Sequence, residues 1–139
     1  MTNIEEIKKL LDWYDKNSGR AGINALLDAQ DKIAIRSYTL AGELAEIKRN
    51  YNLSYFDRKI GFNKAKQNFI QKRKMTGTEA DANANIEVEE LQRVETEYET
   101  VGYRLEVLLR QLNKILSALQ QRISFLKAEE IQTRSQNQT

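Results

Sequence analysis

Residues 91–126 carry an apolar seam that never slips. Leu91, Val94, Tyr98, Val101, Leu105, Leu108, Leu112, Ile115, Leu119, Arg122 and Leu126 follow one another by alternating steps of three and four. Steps averaging 3.5 residues set side chains on one side of a helix, and five repeats of them make a heptad seam. A flanking row, Gly102, Leu109, Leu116 and Ile123, repeats every seven residues and widens the apolar face. A face that wide calls for more than one partner helix, so the seam belongs to a bundle or a higher oligomer. Leu105, Leu108, Leu109, Leu112, Leu116, Leu119 and Ile123 are the candidate oligomer interface. Arg122 interrupts the seam. It reads as a snorkelling or paired arginine at a bundle end, with a register device between subunits as the alternative.

The rest of the chain agrees with a helical fold. None of the 139 residues is proline, where average usage would supply about seven. Proline breaks helix interiors, so its absence suits long helices. Thr2 and Glu5 form a capping box ahead of Ile4, Ile7, Leu10, Leu11 and Tyr14, which have helical spacing. This short helix should end at Asn17, Ser18, Gly19 and Gly22, a turn-forming cluster. A second helical stripe runs through Ile23, Leu26, Ile33, Leu40, Leu44, Ile47 and Tyr51, with Gln30 and Ser37 as polar interruptions. The segment RNYNLSYFDR is a candidate kink near residues 50–56, because Ser54 and Asp57 could restart a helix. Phe62, Ala65 and Phe69 then resume the spacing.

The stretch KRKMTGTEAD reads as the turn between two long arms. Lys72, Arg73 and Lys74 suit a helix carboxyl end, and Glu79 and Asp81 suit an amino end, because of the backbone dipole. Thr78 is the expected cap of the next helix, with Asp81 three residues on. Gly77 is the expected left-handed residue that stops the preceding one. The fold class is therefore all-α: a short amino-terminal helix, then a long antiparallel helical hairpin turning near Gly77, in an oligomeric bundle. Residues 1–132 should form one helical domain, and residues 133–139, polar and without periodicity, a flexible tail.

Composition limits the chemistry. With neither cysteine nor histidine, thiolate catalysis, a histidine base and a Cys/His zinc site are excluded. No Asp-rich loop with its turn glycine, no phosphate-binding glycine loop and no nucleophile elbow occurs. The expectation is a non-enzymatic protein without a cofactor. No run of about 18 apolar residues offers a membrane span, and the amino terminus has no signal-peptide core. The expected location is cytoplasmic.

Charge is segregated. Residues 48–74 hold nine cations against the single acid Asp57, whereas residues 79–99 hold eight acids against the single base Arg93. One reading is mutual neutralisation of the two arms across the hairpin. The other is functional, because the basic arm also carries Tyr51, Tyr55, Phe56, Phe62 and Phe69. Cations interleaved with rings suit a single-stranded nucleic acid, whose phosphates take the charge and whose bases stack. Phe62 and Phe69 fall at core spacing, and of the adjacent Tyr55 and Phe56 only one can face that core. Lys59, Lys66 and Arg73 repeat every seven residues along one side. The candidate nucleic-acid contacts are Tyr55, Arg58, Lys59, Lys64, Lys66, Lys72, Arg73 and Lys74.

The order of these elements, together with the closing stretch LRQLNKILSALQQRISFLK, resembles the phage recombination mediators of the UvsY type. The likeness lies mainly in residues 105–127, an apolar helix followed by an arginine and then an apolar pair before a lysine. In the middle of the chain, NLSYFDRK (52–59) is the counterpart of that family's basic DNA-contacting segment, which implies a DNA-contact role for Arg58 and Lys59. The resemblance further implies a ring-forming helical oligomer that binds single-stranded DNA and helps load a recombinase in place of a single-strand-binding protein. Its partners would be single-stranded DNA, the recombinase or single-strand-binding protein, and copies of itself. A phage-encoded chain would work in the host cytoplasm. The rival expectation is a phage structural or scaffolding hairpin that assembles by coiled-coil contacts without nucleic acid. A lesser one is an inhibitor or adaptor that binds another protein through the acidic face.

Overall fold

Residues 2–137 are described by a computed structural model. They form four α-helices and no strand: α1 (Asn3–Asn17), α2 (Ile23–Arg73), α3 (Gly77–Glu87) and α4 (Glu89–Asn137). The chain is all-α, as its heptad seam and missing prolines predict. The packing divides into two compact units. One takes the described residues up to Gly42 and those from Glu106 onward; the other is Glu43–Leu105.

In the first unit, α1 starts at the predicted capping box. The Thr2 hydroxyl accepts from the Glu5 N–H at 3.2 Å, and the Glu5 carboxylate accepts from the Thr2 N–H at 3.3 Å. The helix stops in the predicted turn, where the N–H groups of Arg20 and Ala21 both donate to the Asn17 carbonyl. The core of this unit combines Ile7 of α1, Leu26, Ala29, Ile33 and Leu40 of α2, and Leu112, Leu119 and Ile123 of α4. Full burial of one large aliphatic side chain contributes about 1.5–3 kcal/mol, so this cluster dominates the unit's stability. The seam arginine has an intrachain partner: Arg122 Nη2 donates to the Gly19 carbonyl at 3.5 Å just beyond the end of α1. Helix α4 extends through residue 133, where the polar tail was expected to begin. It continues to Asn137, with an Arg134–Glu130 ion pair of 2.8 Å one turn apart. Positions 138–139 of the expected tail lie outside the described residues.

The second unit corrects three local expectations. Helix α2 passes through residues 50–56 without interruption. Asn50, Asn52 and Ser54 favour caps only when the backbone ladder is already weakened, and neither proline nor glycine weakens it there. The left-handed residue after α2 is Lys74, with φ of 54°, and not Gly77. The Met75 N–H then reaches back to the Phe69 carbonyl at 3.2 Å, occupying one of the acceptors a helix end leaves open. The cap of α3 is Thr76, whose hydroxyl accepts from the Glu79 N–H at 3.2 Å, and not Thr78; Gly77 is the first residue of that helix. Thr76 and Glu79 carry the same Thr-x-x-acid spacing two residues earlier, so the helix begins sooner, which leaves Asp81 for another role.

The arm beyond the turn is also divided. Val88, with φ of −99° and ψ of 11°, separates α3 from α4. Hydrogen bonds of the helical kind continue on both sides of it, from the Val88 N–H to Ala84 and from the Gln92 N–H to Val88. The core of this unit holds Leu44, Phe69, Ala80, Ala84, Val88 and Leu105. Partners across the unit run in opposite chain directions. A methyl group on Gly102 would lie 3.5 Å from Ile47, and one on Gly61 would lie 3.3 Å from Leu91. Arg58 pairs with Glu95, and Lys66 with Asp81.

Candidate nucleic-acid interface

The eight residues singled out on the basic arm all lie on α2 or directly after it, in the Glu43–Leu105 unit. They separate into groups by what they touch. Arg58 holds Glu95 through two nitrogens, Nε to one carboxylate oxygen and Nη2 to the other at 3.4 Å. Glu95 is buried and Arg58 half-buried, and the hydrogen bond that Arg58 donates to Glu95 raises the Arg58 pKa above its ordinary value against the opposing effect of burial. A planar guanidinium that meets a carboxylate in this two-point fashion is fixed in orientation as well as in charge. Arg58 is thereby engaged inside the unit.

The heptad row of cations is engaged too, each member differently. Lys59 Nζ sits 4.8 Å from the centre of the Tyr55 ring, Lys66 Nζ is 2.9 Å from Asp81, and the Arg73 guanidinium lies 5.3 Å from the Phe69 ring. Tyr55 has a second cation 5.3 Å away, the guanidinium of Arg58. Tyr55 is half-buried, with two cations against its ring. Its neighbour does present a free surface: Phe56 is 58% exposed and meets Tyr55 edge to face at 5.7 Å. Lys59, Lys64, Lys72, Arg73 and Lys74 are exposed, and Lys66 and Arg58 are half-buried. The surface available to a polyanion is therefore Lys59 and Lys64 along α2, with Lys72, Arg73 and Lys74 at its end.

The candidate oligomer interface fares differently along its length. Leu105, Leu112, Leu119 and Ile123 are buried in the chain's own cores, while Leu108, Leu109 and Leu116 are half-buried. The first four already have intrachain partners, which is the physical reason they cannot also serve as a free face.

Sequence reasoning missed Glu95 and Phe56. Glu95 was findable: the row Gly102, Leu109, Leu116 and Ile123, extended backwards by sevens, reaches Glu95 and Val88, both of them buried. A carboxylate on an apolar row calls for a cation opposite, and Arg58 supplies it. Phe56 could not be chosen over Tyr55 from spacing, since adjacent residues straddle the edge of a helix face. Elsewhere, a groove of about 430 Å³ between α1 and the start of α2 is floored by Leu10, Trp13, Ala29 and Ile35. None of the candidate nucleic-acid or interface residues lines it. Among the described residues no cluster of three acidic, histidine or cysteine side chains could hold a metal ion, and no helix is long and apolar enough to cross a membrane.

Comparison of the chain with protein-family models, with curated proteins and with solved structures yields no match.

Proposed function

We propose that the chain is a non-enzymatic single-stranded-DNA-binding accessory protein of recombination, which acts as a helical oligomer and helps load a recombinase. The observation that carries this reading is the cluster of exposed cations Lys59, Lys64, Lys72, Arg73 and Lys74 on an arm whose only acid is Asp57. Such a surface neutralises phosphates and needs no catalytic group. Repetition of the surface in an oligomer would convert individually weak sites into avidity for one strand. The role in recombination rests on the resemblance to UvsY-type mediators. An antiparallel hairpin is the arrangement we infer for Glu43–Leu105, supported by the opposed order of its contact pairs from Ile47–Gly102 to Lys66–Asp81. Leu108, Leu109 and Leu116, half-buried on α4, are the residues of the predicted interface left for a second copy.

A second reading has its own support. Arg58–Glu95 and Lys66–Asp81 show that acids of residues 79–99 take up part of the basic arm's charge. A scaffolding protein would need that neutralisation and nothing more.

Fluorescence anisotropy of a labelled oligonucleotide at several salt concentrations separates the two. The mediator reading expects binding that weakens steeply with salt and disappears when Lys59, Lys64, Lys72, Arg73 and Lys74 become Glu. A folded protein that binds nothing at low salt leaves the scaffolding reading in place.

A further inference from the structure

The outer side of α2 in the Glu43–Leu105 unit carries an unexplained apolar stripe. Leu53, Phe56 and Ile60 are 52%, 58% and 52% exposed, and they follow one another by three and four residues, so they lie on one helix face. Within this unit the buried apolar side chains of α2 are Leu44 and Phe69, on the opposite face. Three large apolar groups in a row on a helix surface form a contiguous patch and mark a contact site.

The charge around the stripe selects the occupant. Arg49 stands two turns before Phe56 on the same face, Lys59 one turn after it, and Lys64 one turn after Ile60, against the single acid Asp57 one turn after Leu53; all four are exposed, so the face carries a net positive charge. Two copies pairing stripe to stripe would bring like charges together, which is destabilising. A polyanion with flat apolar faces meets the same surface with charge and ring contacts of the right sign. Phe56 is prepared for this, because its edge-to-face contact with Tyr55 at 5.7 Å holds the ring while most of its surface stays open.

We infer that Phe56 is the base-stacking residue of the nucleic-acid surface, with Leu53 and Ile60 as its apolar flanks and Arg49, Lys59 and Lys64 as phosphate contacts. This rests on the proposed single-stranded-DNA binding and names its recognition element. Stacking on one exposed ring is sequence-tolerant, since every base has a π-face. The site would accept any single strand and exclude a duplex, whose bases are already stacked.

The test is anisotropy of a labelled oligothymidine with wild type, Phe56→Ala, Phe56→Leu, Phe56→Trp and Tyr55→Leu, each across a salt series and checked for helicity by circular dichroism. Phe56→Ala and Phe56→Leu should bind about tenfold more weakly with the salt slope unchanged, and Phe56→Trp should restore affinity. The pair Arg49→Gln and Lys59→Gln should lower the slope by about 0.7 for each residue removed. Wild-type binding that Phe56→Leu leaves intact overturns the stacking role and leaves the DNA-binding reading standing. Full retention in Phe56→Leu with loss in Phe56→Ala would show that the strand needs apolar bulk and not a π-face at this position, and would overturn the stacking role as well. Failure of the wild type to bind any oligonucleotide at low salt overturns the underlying function itself.

Discussion

At the residue scale, two buried polar groups behave in opposite ways. Glu95 is held by Arg58, so its loss strands a half-buried guanidinium. Glu95→Ala should destabilise the protein by about 2 kcal/mol, below the range for a fully buried pair because Arg58 retains some access to water. Urea unfolding monitored by circular dichroism measures this. Replacing both partners, Arg58→Met with Glu95→Leu, should recover most of the loss. Ser37 is the contrary case: its hydroxyl is buried among the apolar stripe of α2 without a hydrogen-bond partner. Ser37→Ala should stabilise by about 1 kcal/mol, since the unsatisfied group then leaves the core. The sequence exposed Ser37 as an interruption of its stripe and could not say whether a partner faced it. Glu95 was legible as a carboxylate on the apolar row of Gly102, whereas its pairing with Arg58 was not, since that depends on how the helices pair. Farther out, Arg93 donates to Glu90 and Glu97 on the exposed side of α4. The hydrogen bond from Arg93 lowers the Glu90 pKa. A lowered folded-state pKa contributes stability above the ordinary glutamate range and loses it as pH falls through the folded value. An Arg93→Gln variant should therefore differ from wild type at neutral pH and converge with it in acid, as seen in thermal melts at each pH.

At the element scale, the turn between α2 and α3 concentrates the cost of the fold in one residue. Lys74 sits at φ of 54° with a side chain that disfavours that region. Lys74→Gly should stabilise by about 1 kcal/mol, and Thr76→Ala should cost about 1 kcal/mol through the lost cap, both read from urea midpoints. The existence of this turn was legible because cations, glycine and acids followed one another there. Its exact residues were not, since Thr76 and Thr78 both head capping patterns and only packing chooses between them. A similar limit explains residues 50–56. The local preferences of Asn and Ser were visible, whereas the continuous ladder of α2 that overrides them is a property of the whole helix. Gly42 lies inside that helix with no atom within 4 Å of a would-be methyl group. Gly42→Ala should raise stability by about 1 kcal/mol through helix propensity alone. Gly61→Ala should gain less, because its methyl group would press on Leu91 at 3.3 Å.

At the scale of the molecule, the heptad seam gave the fold class and misdirected the interface. Periodicity reports which side of a helix is apolar and is silent on whether the covering helix belongs to the same chain. Leu105, Leu112, Leu119 and Ile123 turned out to be covered from within, so Leu112→Ala should cost about 2–5 kcal/mol as a core deletion and unfold the protomer before it alters any assembly. Light scattering on the folded protein, paired with its melting curve, distinguishes those outcomes. The single tryptophan has a further consequence. Trp13 stands half-buried on α1, in the unit completed by the second part of α4, and Glu43–Leu105 contains no other indole. Its emission is thus a private optical probe of one unit, whereas far-ultraviolet ellipticity averages over both. If the long shared helices couple the two units into one cooperative transition, the two signals trace the same curve on heating; if each unit melts alone, the curves part, and the order in which they part names the weaker half.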